Sequence, residues 1–241
     1  MSSDERSAST DEDVGGAGFV QRARAKGVET LSRAASADES DWALAGTLGT
    51  AGAVRGVEAP HEVADAIPHV VRAFAFVDLC GFTAFTARHG EHAAIATVTQ
   101  FRSLTRALVT RRGVRVAKWL GDGAMIVGVE VGPTIATATE LIARYAEQPL
   151  ALRGGVAHGE VLIIDGDDYI GRPTNLASRL CDAAQPGELL AVGYRATSLP
   201  PWIRVSGTRQ LTLPGLGRVR RAQQLVLADD VTLPALVAPG S

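Results

Sequence analysis

Cysteine is nearly missing from this sequence, and the other scarcities are equally instructive. Only two cysteines occur in 241 residues, Cys80 and Cys181, each beside apolar residues and without CxxC spacing. That pattern excludes a disulfide framework and a zinc ribbon, and it is the usage expected of a reduced, cytoplasmic protein. Neither sign of charge dominates. With 24 basic against 26 acidic residues and a net charge of −2, no basic field exists to gather nucleic acid, so no nucleic-acid partner is expected. Long apolar runs are lacking too. The longest early uncharged stretch, WALAGTLGTAGAV, has 13 residues and several glycines, too short to cross a bilayer, so no integral membrane segment is expected. The first residues, MSSDERSASTDEDVGG, are acidic where a secretory leader carries positive charge before an apolar core.

What is present is a chain 46% hydrophobic and 21% charged, enough for one well-packed domain with an appendage. Residues 1–17 have the Ser/Asp/Glu/Gly bias of a disordered tail. Residues 18–69 carry no motif and read as a linker or regulatory segment, and residues 229–241 as a C-terminal tail. Between them, 70–228 is expected to form the main domain. VVRAFAFVDL (70–79) suits a buried central strand. Ile95, Val98, Phe101, Leu104 and Leu108 recur at helical spacing across 90–113, closed by Gly113. Strands are expected over 114–120 and 124–131, joined across the tight turn Gly121-Asp122-Gly123. A second helix should span 133–148, with Pro133 in its first turn. Residues 152–165 read as two strands around His158-Gly159, residues 174–184 as a third helix and 204–227 as a closing hairpin. The order is βαββαβ, an α+β, ferredoxin-like core with an extra C-terminal helix and hairpin.

Asp78 ends an apolar strand, where a carboxylate is costly to bury unless it is paired, hydrogen-bonded or metal-bound. Asp122 alone is what a tight turn prefers. Together, on neighbouring strands, the two would converge at one sheet edge as a hard-oxygen site for Mg²⁺ or Mn²⁺. Asn175 and Arg179, four apart, share a helix face, and a guanidinium there could meet charge on a phosphoryl group. Lys118 either snorkels from an outward strand position or donates to a base. Adenine offers an acceptor ring nitrogen beside a donor amino group, so Lys118 with Asp168 would match that edge if they meet, whereas guanine would present like to like. Asp168 otherwise reads as one of an acidic loop with Asp165 and Asp167. The five histidines show no metal-ligand spacing.

The segments FVDLCGFTAF, KWLGDGAMIVG and DYIGRPTNLASR resemble, in the same order, the three signature segments of the class III nucleotidyl cyclases. The resemblance covers about residues 70–228. It implies that Asp78 and Asp122 hold two divalent ions, that Lys118 and Asp168 select the adenine of ATP, and that Asn175 and Arg179 stabilise the transition state. It also implies a head-to-tail homodimer, with metal aspartates from one protomer and the other four residues from its partner. Guanylyl members carry Glu and Cys-like residues where this chain has Lys118 and Asp168. Members often place a lysine for the triphosphate in the final hairpin; here that stretch reads LPGLGR, which leaves Arg218, Arg220 or Arg221. The expected activity is an adenylate cyclase, with a non-catalytic cyclase-like module as the alternative.

Overall fold

A computed structural model describes residues 69–164 and 168–234. The expectations for residues 1–68, Asp165, Asp167 and the end of the C-terminal tail lie outside the described residues. The chain opens with β1 (His69–Leu79), followed by α1 (Phe82–Arg112), β2 (Arg115–Leu120), β3 (Gly123–Gly128), α2 (Val131–Arg144) and β4 (Leu152–Ile164). Then come β5 (Asp168–Ile170), α3 (Arg172–Ala183), β6 (Leu189–Ala191), β7 (Ile203–Leu213) and β8 (Gly217–Leu227). One eight-stranded sheet runs β2-β3-β1-β4-β6-β8-β7, with β5 hung on β4, and only the β4–β6 pair is parallel.

Alternation along β1 divides the core. Ala73, Ala75, Val77 and Leu79 face one side, where they join Phe101 and Leu108 of α1 and Ile135 and Leu141 of α2. Phe74 faces the other, with Tyr169 and Ala177 of β5 and α3. The sheet therefore carries α1 and α2 on one face and α3 on the other, as the period-two burial of a central strand requires. No helix among the described residues is long and apolar enough to cross a membrane.

Four local expectations need correction, the simplest being that the second helix spans Val131–Arg144 rather than 133–148. The first helix begins at Phe82, not at residue 90, and Gly90 (φ 82°, ψ 169°) interrupts it, so two helical segments meet at that glycine. The second strand of the hairpin stops at Gly128 because α2 crosses directly above it; a Cβ there would sit 2.2 Å from Thr134 Oγ1. Residues 152–164 form one continuous strand. Gly159, read from sequence as a turn, is instead a point of close packing, where a Cβ would lie 2.9 Å from Pro173 Cγ. The short strands β5 and β6 had no signal strong enough to call.

Glu140 of α2 is fully buried and held by three arginines. Arg111 donates to its Oε2 at 2.5 Å, Arg112 donates to the same oxygen, and Arg144 Nε donates to Oε1 at 2.8 Å. Burial pushes this carboxyl up, but the arginine hydrogen bonds, led by Arg112 and Arg144, outweigh it and hold it below its ordinary value. A depressed folded pKa gives stability that is complete above the unfolded carboxyl value of ~4.3 and is lost as pH falls through the folded one. Glu140→Gln should accordingly lower stability at pH 7 by about 3 kcal/mol, since it strands three cations on a neutral group. In urea melts the gap between variant and wild type should close below pH ~4.

Candidate active site

Asp78 comes last but one in β1, 5% exposed, on the α3 face of the sheet. It pairs in register with Gly123, and the Leu79 N–H donates to the Asp122 carbonyl oxygen at 3.3 Å, so the two aspartates occupy adjacent strand ends. Gly123 makes this possible. A Cβ there would lie 2.8 Å from the Val77 carbonyl oxygen and 2.9 Å from Asp78 Oδ1. The Asp-Gly turn, which a hairpin wants in any case, thus also seats the neighbouring carboxylate.

Arg153 of β4, directly across from Asp78 in register, was not singled out by the sequence reading. Its Nη2 donates to Asp78 Oδ2 at 3.1 Å, and its Nη1 donates to the Asp182 carbonyl oxygen, in the last turn of α3, at 3.1 Å. Burial disfavours its charge, but the Asp78 bond and charge outweigh that and move its pKa up. Cys80 lies in the same field. Burial pushes its thiol up, Arg153 pulls the other way, and the Asp78 and Asp122 carboxylates add to the rise.

The donor set suits a hard divalent ion: two carboxylates at adjacent strand ends, one of them seated over a glycine. Among the described residues no group of three or more His, Cys, Asp and Glu could hold a metal. Two carboxylates would leave positions for water and phosphate oxygens, which Mg²⁺ characteristically keeps.

Lys118 and Asp168 meet. From segments fifty residues apart, Lys118 Nζ donates to Asp168 Oδ1, both side chains about half exposed. A β-bulge makes the meeting possible. The β2–β3 register shifts between Val116 and Lys118, so Ala117 and Lys118 both turn to the α3 face while Val116 and Trp119 pack with the α1 face. Trp119, unexplained from sequence, sits against Phe101 with ring centroids 6.1 Å apart, and the guanidinium groups of Arg102 and Arg106 each lie 5.2 Å from its ring. Strand β5 is pinned over the sheet by Tyr169, which packs edge-on against Phe74 and accepts from Arg115 Nη2 at 2.6 Å.

Asn175 and Arg179 are half-buried on α3, and Arg179 Nη1 is 3.5 Å from Asp182 Oδ2. The helix has no basic residue of its own in the last turn. Its terminal carbonyls are capped instead by Arg153 and by Arg209 of β7, which donates to Ala183 O at 3.3 Å and to Glu188 Oε2 at 2.7 Å. Of the basic residues in the final hairpin, Arg218 donates to Gln210 Oε1 at 2.5 Å and Arg221 is exposed.

Comparison with known proteins agrees with this architecture. The catalytic core of a rhodopsin-guanylyl cyclase with converted specificity, in complex with ATPalphaS, superposes with a TM-score of 0.59 at 18% identity, covering 67% of this chain and 98% of that one. The guanylyl cyclase Cya2 gives 0.58 at 18% (71% and 99%), and the adenylyl cyclase CyaB from P. aeruginosa 0.56 at 21% (68% and 97%). The fold is that of a class III nucleotidyl cyclase catalytic domain. In sequence, an uncharacterised protein of Mycobacterium tuberculosis is 35% identical over 144 residues, 58% of this chain and 37% of its own. An adenylate cyclase of Streptomyces coelicolor is 36% identical over 120 residues (49% and 31%), and one of Glutamicibacter nicotianae 30% over 132 (54% and 32%). The chain thus spans about a third of the length of these curated relatives. No family model matches it.

The cyclase fold depends here on α3 lying against β4. A Cβ on Gly155 would fall 2.2 Å from Ala177 O and 2.3 Å from Cys181 N, both backbone atoms that cannot move alone. Gly155→Ala should therefore cost about 3 kcal/mol or more by overpacking. A lower urea midpoint at unchanged slope would register it, and an unchanged midpoint would refute the close approach.

Proposed function

We propose that this protein is an adenylate cyclase of the class III family, converting ATP to 3′,5′-cyclic AMP and pyrophosphate. The observation that carries the reading is the ion pair between Lys118 and Asp168. A lysine donor and a carboxylate acceptor side by side complement the ring nitrogen and amino group of adenine, and they oppose guanine at both positions. Asp78 and Asp122 would hold two Mg²⁺ or Mn²⁺ ions. When bound, these ions supply a lowered pKa for the ribose 3′-hydroxyl and charge neutralisation for the triphosphate.

The reaction is an in-line attack of the 3′-oxygen on the α-phosphorus, with pyrophosphate as the leaving group. Arg179 meets the charge that develops on the α-phosphoryl oxygens, and Asn175 orients the ribose, both from the exposed side of α3. Lys118 and Asp168 fix the base so that the 3′-oxygen lies in line. No side chain need act as a dedicated base. The working unit is a cytoplasmic head-to-tail homodimer with two equivalent sites, in which Asp78 and Asp122 of one protomer face the other four residues of its partner. The fold, and the curated adenylate cyclases that match by sequence, support the cyclase reading from which this pairing is inferred.

Purified full-length protein given ATP and Mn²⁺ should release cyclic AMP, and Asp78→Ala should lose at least about a thousandfold in rate. ATP binding without product at any protein concentration would replace this reading with a non-catalytic, ATP-sensing module. Lys118→Glu combined with Asp168→Cys should shift kcat/KM from ATP toward GTP by about a hundredfold or more, as expected when a site's paired polar groups are reversed. Unchanged preference would remove base selection from these two residues.

A further inference from the structure

Strand β5 carries Asp168, yet its own ladder is short. Three register pairs, Leu162 with Ile170, Ile163 with Tyr169 and Ile164 with Asp168, join it to β4. Asp168 opens the strand with its side chain about half exposed. The residue beside it is anchored differently. Tyr169 is 7% exposed, its ring lies edge-on to Phe74 with centroids 5.3 Å apart, and its hydroxyl accepts from Arg115 Nη2 at 2.6 Å. The Arg115 guanidinium also lies 5.8 Å from the centre of that ring. β5 is therefore tied to β2 at two successive residues, Asp168 to Lys118 and Tyr169 to Arg115.

The two anchors on β2 match this arrangement. Arg115 pairs in register with Val127 and Lys118 with Met125, two β3 residues of the α3-side core, so both cations stand over that face of the sheet. Only one of the ties has a donor and an acceptor that a base would engage. The geometry points to Arg115 and Tyr169 as a brace for base selection, positioning residues that hold β5 against β2 and keep Asp168 at the spacing from Lys118 that fits the adenine edge. When a base engages the first tie, the second preserves that spacing. A carboxylate free to shift on a three-residue strand could instead accept from the ring N–H of guanine while the lysine turned to the neighbouring carbonyl oxygen. Loss of the brace thus costs discrimination before it costs turnover. The inference rests on Lys118 and Asp168 as the base-selecting pair, and both ties lie within the protomer that supplies that pair.

The test is Tyr169→Phe in the full chain, which removes one oxygen atom and keeps the ring against Phe74, with ATP and GTP compared at saturating Mn²⁺. The ratio of kcat/KM for ATP to that for GTP should fall about tenfold, through KM more than through kcat. Arg115→Met should lower the ratio to the same extent, and Arg115→Lys, which keeps a donor, should lower it less. The double variant should lose no more than the larger single loss, since the two residues form one contact. An unchanged ratio in Tyr169→Phe would overturn the proposal, whether or not the urea midpoint falls. Additive losses in the double variant would overturn it too, by showing that the residues act separately. Equilibrium dialysis of ATP against GTP reads the same preference in a chain that binds nucleotide without turning it over. Lys118→Ala is the reference. A preference that survives in that variant would remove the base-selecting pair and the brace together, whereas its collapse there beside an unmoved Tyr169→Phe would refute the brace alone.

Discussion

Backbone meets backbone where α3 crosses β4, and much of the site follows from that approach. Ala177 O and Cys181 N occupy the space where Gly155 lacks a side chain, and Pro173 lies over Gly159 in the same way. A helix set so low on a sheet can be held by its end as well as by its buried face, where Ala177 and Leu180 are fully enclosed. Its last carbonyls accept from Arg153 and Arg209, which arrive from two different strands. Asn175 and Arg179 are thus carried by a rigid element rather than a loop, which is what positioning chemistry to within fractions of an ångström demands.

Charge in this molecule is organised in closed sets. Glu140 is buried among three arginines, Asp78 faces Arg153, and Lys118 faces Asp168. The first set is structural and sits between α1 and α2, where full burial demands several donors for one carboxylate. Of the other two, the Asp78–Arg153 pair is also largely buried, whereas Lys118 and Asp168 are about half exposed and open to exchange with a ligand.

The architecture was legible in the sequence wherever hydrophobic period and punctuation agreed. The apolar run of β1, the helical spacing from Ile95 to Leu108 and the Asp-Gly turn all fell where the structure has them. Legibility failed at glycines with two meanings. Gly159 looked like a turn and is a packing contact, while Gly90 looked like the start of a helix and is a break inside one. The paired positions of Asp78, Asp122, Lys118 and Asp168 could be proposed because each sits beside a readable turn or strand end. Arg153 could not, since its importance lies in a cross-strand register and a helix end that no local pattern announces.

The bulge at Ala117 carries a consequence for how specificity is written into such a chain. Strand β2 is the terminal strand of the described sheet and pairs only with β3, so an extra residue there disturbs a single ladder. Had the same irregularity fallen in β1, two ladders and both cores would have had to accommodate it. Because side chains alternate with period two, the length of this edge strand alone decides which face Lys118 presents. If Lys118 reads the base as proposed, recognition is encoded in a residue count as well as in residue identity, and a one-residue insertion or deletion in an edge strand is a way to alter it while the apolar composition of the domain stays the same.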